Sequence, residues 1–110
     1  MSIEVPLDEL ADEVDRWAFC YLLTVSEGER PHLLALQPEV VGAGDSLRLR
    51  FDAGGGRACR NAAERPNVTL VFPPVEHSKG MSLVVDGTAT VDGAIVDVAP
   101  TWAVLHRAAP

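Results

Sequence analysis

The sequence predicts a mainly β fold: an antiparallel barrel with short helical caps. Apolar and polar residues alternate through Leu47, Leu49 and Phe51, and again through Val68, Leu70 and Phe72, the period of a half-buried strand. Turn signals recur between such runs, among them Gly42-Ala43-Gly44-Asp45 and Asp92-Gly93. Helical character is clear in two short stretches, at 6–16 and 56–65. Several strands joined by tight turns with few helices are the pattern of a closed or partly closed antiparallel sheet.

Each element follows in order. Leu7, Leu10, Ala11, Val14 and Trp17 keep helical spacing, with Asp8, Glu9, Asp12 and Glu13 on the other side. Pro6 and the early acids suit a helix start, so one amphipathic helix is expected over 6–16. Residues 18–25 are apolar on both faces, which predicts a strand buried on two sides. Ser26 to Arg30 reads as a hairpin loop, and 31–41 as a second apolar strand in which Pro38 requires a bulge, an edge or an end. After the turn at 42–45 comes the alternating strand ending at Phe51. The alanine-rich stretch 56–65 is expected to be helical and to stop before Pro66. Val68 to Phe72 is a strand broken by Pro73-Pro74. Residues 81–91 form a long strand, Asp92-Gly93 a hairpin, and 94–98 the return. Residues 101–107 fit a strand or a short helix equally well.

At 110 residues the chain is expected to be one domain, 1–110. The net charge of −7 argues against broad nucleic-acid binding, which rewards basic faces. No apolar run is long enough to span a bilayer. Six acids precede Arg16, the opposite of a secretory leader. Cys20 and Cys59 lack metal-ligand spacing and are too few for a disulfide scaffold. They are expected to be reduced, buried thiols in a cytoplasmic protein.

The stretch Phe51 to Val68 gathers positive charge on this acidic chain. Arg48, Arg50, Arg57, Arg60 and Arg65 are five of its nine basic residues, opposed only by Asp52 and Glu64. The Gly54-Gly55-Gly56 turn leads into a helix, where free backbone N–H groups and the helix dipole favour an anion. On that helix Arg57, Arg60, Asn61 and Glu64 are expected on one face. Arg57, with the Gly55 and Gly56 N–H groups, then clamps a ligand phosphate, or else Arg57 and Arg60 pair with Glu64 and face water. His32, His77 and His106 show no ligand spacing, and the serines no nucleophile setting. Trp102, His106 and Arg107 form an aromatic and cationic group, either a docked tail or a segment reaching across a dimer.

The passage RFDAGGGRACRNAAERPNVTLVFPP, residues 50–74, resembles the phosphate-loop block of the pyridoxamine 5′-phosphate oxidase-like, flavin-binding split-barrel family. Arg57, Asn61, Pro66, Val68, Leu70, Phe72 and Pro73 stand in the family's order. Tyr21 to Val25 with Gly28 and Pro31 resembles its first hairpin, and Val84 to Ala89 a later strand with a Gly-x-Ala turn. The likeness spans residues 17–91. The ending Ala103 to Arg107 resembles a small actinobacterial-type branch. The resemblance implies a six-stranded antiparallel split β-barrel of the FMN-binding type. It also implies a homodimer with two ligand sites at the interface, acting on a small-molecule substrate without nucleic acid or membrane. The flavin ring is then expected along the second strand near Leu34, Ala35 and Leu36. Its phosphate is expected by Phe51, Asp52, Arg57 and Asn61, with Ser82 approaching from a later strand.

The chain departs from the oxidase pattern at three positions. Leu34 replaces an arginine, Ala58 replaces the lysine of a basic pair, and Asp52 stands where a hydroxyl would accept the phosphate. With fewer charge-assisted bonds, pyridoxamine phosphate oxidase activity is not expected. The resemblance implies instead an FMN-binding oxidoreductase-like protein with no catalytic acid or base assigned. The alternatives are a deazaflavin ligand, or a degenerate barrel that has lost its cofactor. A third is haem, with His32 or His106 as axial candidates.

Overall fold

The computed structural model describes residues 2–109. Its strands are β1 (Ser2–Glu4), β2 (Cys20–Val25), β3 (Pro31–Leu36), β4 (Glu39–Val41), β5 (Arg48–Asp52), β6 (Asn67–Phe72), β7 (Ser82–Asp92) and β8 (Ile95–His106). Two α-helices, α1 (Leu10–Val14) and α2 (Arg57–Glu64), are joined by three single 3₁₀ turns. The strands make one curled antiparallel sheet in the order β3-β2-β6-β7-β8-β5-β4, with β1 added on β8. This is the expected split-barrel architecture. The six long strands are joined by two three-residue ones, β1 and β4, that the sequence pattern did not separate.

The differences from expectation are local. The first helix begins as a 3₁₀ turn, Leu7–Glu9, before α1, and Trp17 closes it by donating from Nε1 to Glu13 Oε1 at 3.4 Å. Strand β2 is buried on one face only: Cys20, Leu22 and Thr24 are buried, whereas Tyr21, Leu23 and Val25 are half-buried. A strand in a single curled layer has core on one side, so continuous apolarity overstated its burial. The stretch 31–41 divides at Pro38, which lacks the N–H needed to extend β3; β4 pairs with β5 instead. The return from the Asp92-Gly93 hairpin does not stop at 98 but continues to His106 as one strand.

The core fills the concave side, with Leu22, Leu49, Phe51, Leu70, Phe72, Leu83, Val85, Val96 and Val98 among its most buried members. Leu10, Val14 and Trp17 cover one end of it, and Ala58, Cys59 and Ala62 of α2 another. The small side chains of α2 let its backbone lie close against the sheet. Gly87 permits the long β7–β8 ladder to bulge: a Cβ there would lie 2.5 Å from Val98 Cγ1 and 2.7 Å from the Ala99 carbonyl oxygen. The register shift falls at that same point, between Asp86 and Gly87.

The convex side presents a second ordered surface. Ala35, Tyr21, Val71, Val84 and Val104 are consecutive register partners across five strands, so they form one apolar row. The adjacent row runs Leu33, Leu23, Thr69, Asp86, Trp102 by the same pairings. Its ends are open: Leu33 is 56% exposed and Trp102 43%. At its centre Thr69 Oγ1 donates to Asp86 Oδ1 at 2.8 Å. Among the described residues no helix is long and apolar enough to cross a membrane.

Candidate functional site

The basic stretch divides once the chain is folded. Arg50 faces Asp97 in the β5–β8 register and holds it bidentately, Nε to Oδ1 at 2.7 Å and Nη2 to Oδ2 at 3.2 Å. That hydrogen bond, the Asp97 charge and the nearby Glu39 raise the Arg50 pKa. Arg48 donates to the Leu47 carbonyl oxygen, and Arg65 pairs with Glu64 at 3.1 Å. Arg57 and Arg60 remain, exposed and without an acid partner among the described residues. Of the two readings of Arg57 and Arg60, the one that pairs them with Glu64 is not seen among the described residues, where Arg65 takes Glu64.

Arg57 opens α2. Gly54 and Gly55 reach it with φ of +74° each, which a side-chain-bearing residue adopts only with strain. Gly56 is the N-cap and gives no side-chain cap, so the first N–H groups of the helix are uncommitted. Arg57 lines an open hollow of about 340 Å³ together with Ser26, Arg30, Pro31 and His32. The end of the β2–β3 hairpin thus forms one wall and the start of α2 the other. No carboxylate among the described residues lines it.

Asn61 fixes how these walls meet. It was expected beside Arg57 on the ligand face; the structure instead buries it, 5% exposed, against the sheet. Its Nδ2 donates to Thr24 Oγ1 at 3.2 Å, and Thr24 is the register partner of His32. One buried hydrogen bond therefore docks α2 on β2 directly behind the histidine. His32 Nδ1 is shut off from solvent and has no hydrogen-bond partner among the described residues.

The other expected site residues scatter. Leu34 and Leu36 share the inner face of β3 with His32, and Ala35 lies on the outer face. A ring lying along these residues meets the free backbone edge of β3, the outermost strand. Phe51 is 1% exposed, so its side chain belongs to the core. Asp52 Oδ1 accepts from the Gly54 N–H at 3.1 Å, shaping the glycine turn. Ala58 is buried, so that position turns away from the hollow. Ser82 sits about five register positions from the Thr24–His32 level, on the order of 16 Å along the strands. Within one protomer it does not meet Arg57. Ser26, Arg30 and His32 were not read as companions of Arg57, since pairing across a sheet is invisible in a linear pattern. The available signal was the alternation of β3, which puts His32 on the inner face with Leu34.

Trp102 and His106 lie on β8 as part of the sheet. Trp102 Nε1 donates to Glu4 Oε1 at 3.1 Å, and His106 Nδ1 is hydrogen-bonded to Ser2 Oγ at 3.0 Å. Cys20 and Cys59 are buried free thiols, and burial pushes the Cys20 pKa from 9.0 up to about 12.

No protein-family model matches the chain. It is 41% identical to two mycobacterial proteins, one from Mycobacterium bovis and one from Mycobacterium tuberculosis. Each match covers 97% of this chain and 84% of the relative, and both relatives are described as uncharacterised. Among solved structures, a candidate pyridoxamine 5′-phosphate oxidase from Lactobacillus delbrueckii superposes with a TM-score of 0.65 at 14% identity, covering 91% of this chain and 93% of that one. An FAD-binding protein from Mycobacterium smegmatis gives 0.61 at 20% identity, covering 97% and 100%. HutZ, a haem storage protein from Vibrio cholerae, gives 0.60 at 13% identity, covering 91% and 94%.

Proposed function

The chain belongs to one family with its two mycobacterial relatives, and its fold is the split barrel of the pyridoxamine 5′-phosphate oxidase-like proteins; from that premise we propose that it binds FMN or a deazaflavin and acts on a small molecule. The observation carrying this reading is the carboxylate-free hollow at the N-terminus of α2, lined by Arg57 and bordering the free edge of β3. Cationic side chains and uncommitted N–H groups hold a phosphate tail there. The edge strand at Leu34 to Leu36 offers the ring unpaired backbone groups and, through Ala35, a small side chain that permits close approach. When bound, a flavin supplies the redox chemistry, and the protein orients it and excludes water. The reading includes a homodimer, supported by the apolar row Ala35-Tyr21-Val71-Val84-Val104 on the convex face. It also includes a cytoplasmic location, supported by the two buried free thiols.

The test is an absorbance spectrum of freshly purified protein, followed by titration with FMN monitored by quenching of its fluorescence. Bound flavin, or FMN quenching that saturates, is the expected result, with affinity falling about tenfold in Arg57→Ala, as loss of a charge-assisted bond implies. A colourless protein that leaves FMN fluorescence unchanged favours the degenerate barrel, for which the inward turn of Ala58 is the supporting observation. A Soret band would replace flavin with haem.

A further inference from the structure

We propose that a second hollow, at the Arg48 end of β5, binds a small apolar zwitterion of the α-amino-acid class, with Arg48 taking its carboxylate and Asp8 and Asp45 its ammonium group. The hollow measures about 290 Å³. Its charged lining is Asp8, Asp45 and Arg48, and its apolar lining Leu7, Leu47, Ala99 and Pro100. Arg48 and Asp52 are opposite ends of β5, on the order of 13 Å apart, and the glycine turn and Arg57 follow Asp52, so this space is separate from the one in the cofactor reading. The topology creates it. On one edge β8 pairs with β7 along its whole length. On the other it pairs with β5 only as far as Val98, opposite Leu49, and with β1 only from Val104, opposite Glu4. Residues 99–102 of β8 therefore have no strand on that side, and the turns at Leu7–Glu9 and Gly44–Ser46 border the gap instead. Pro100 suits an unpaired edge, since it offers no N–H to a neighbour. The extra residue of the bulge, Thr101, falls here too, between the Gly87–Pro100 and Asp86–Trp102 pairs, and a bulge bends its strand.

Two features of the lining point to the ligand. Opposite charges share the hollow without joining: Arg48 is half-buried and makes no ion pair with Asp8 or Asp45 among the described residues. Its Nη1 donates instead to the adjoining Leu47 carbonyl oxygen at 2.8 Å, which anchors the guanidinium while its other N–H groups stay open to a ligand. The apolar lining is also open: Leu7 is 39% exposed, whereas Leu47 behind it is 3% exposed and belongs to the core. A forked guanidinium matches a carboxylate with two parallel bonds, and an ammonium group gains charge-assisted bonds from the two aspartates. A branched aliphatic side chain covers Leu7 and Pro100 and removes apolar surface from water. Two carboxylates disfavour a phosphate here, and a volume of about 290 Å³ is at the small end for a ligand pocket, which suits an amino acid rather than a nucleotide.

The experiment follows the backbone amides of the 110-residue chain by NMR during titration with L-leucine, with leucinamide, which lacks the carboxylate, and with 4-methylpentanoate, which lacks the ammonium group. Leucine is expected to give saturable shifts at Leu7, Asp8, Asp45, Arg48 and Ala99, and each analogue to bind about tenfold more weakly, as loss of a charge-assisted contact implies. Asp45→Asn, at an exposed turn, and Arg48→Gln are each expected to lose about tenfold in leucine affinity, and Arg60→Ala, on the exposed side of α2, to lose nothing. The comparison of ligands needs no variant, so it decides the matter even where Arg48→Gln fails to fold. Leucine that moves none of these amides at about 10 mM, or an analogue that binds as tightly as leucine, would overturn the inference. FMN titration of the same sample reads the cofactor site separately, so either reading can fail while the other stands.

Discussion

Asn61 shows how much one side chain settles here. Helical spacing placed it beside Arg57, and it does lie one turn away, but its amide turns onto Thr24. A buried hydrogen bond contributes about 1 kcal/mol net, and removing one partner costs about 1–3 kcal/mol because the other is left unsatisfied. Asn61→Ala is therefore expected to destabilise the fold by roughly 2 kcal/mol in urea denaturation, and to loosen the hollow by freeing α2. Cys20 gives a second expectation. Its folded pKa of about 12 lies above the ordinary 9.0, so the unfolded chain loses this proton first as pH rises. The contribution of the neutral thiol is complete below pH 9 and is lost between about 9 and 12. Thermal melts should fall across that window with a slope of up to about 1.4 kcal/mol per pH unit, and Cys20→Ala should flatten it.

At the scale of elements, strand alternation was legible wherever one face meets the core and the other water, as in β5 and β6. It failed to show that β2 has only one buried face, because Tyr21, Leu23 and Val25 are as apolar as their inward neighbours. It also missed β1, three exposed residues defined only by pairing with the end of β8. The bulge at Gly87 offers a direct check. Adding a Cβ brings it against Val98 and the Ala99 carbonyl, neither of which can move without shifting β8. Gly87→Ala is expected to cost about 1–3 kcal/mol by overpacking, read from chemical denaturation. Gly54→Ala, with open space around it but φ of +74°, should cost less, about 1 kcal/mol of backbone strain.

For the whole molecule, the convex face of the sheet carries two of the large exposed hydrophobic side chains, Leu33 and Trp102. The row from Ala35 to Val104 is apolar, and the row beside it exposes Leu33 and Trp102 at its two ends, on either side of the Thr69–Asp86 pair. We predict a dimer by analytical ultracentrifugation, and Leu33→Glu, at the open end of a row, should shift it towards monomer by placing a charge in the contact. An unchanged sedimentation coefficient for that variant would remove Leu33 from the interface, and a monomeric wild type would remove the dimer altogether.

The sequence alone determined the β architecture, the position of α2 and the glycine turn before it. Those depend on local periodicity and on backbone freedom, which neighbouring residues encode. Tertiary structure alone decided which arginines remain unpaired. Asp97 meets Arg50 from 47 positions away, and Arg30 shares a hollow with Arg57 because β2 and β3 fold back beneath α2. Charge pairing acts through space at a few ångströms, and the chain carries no local record of which distant groups the sheet brings within that range.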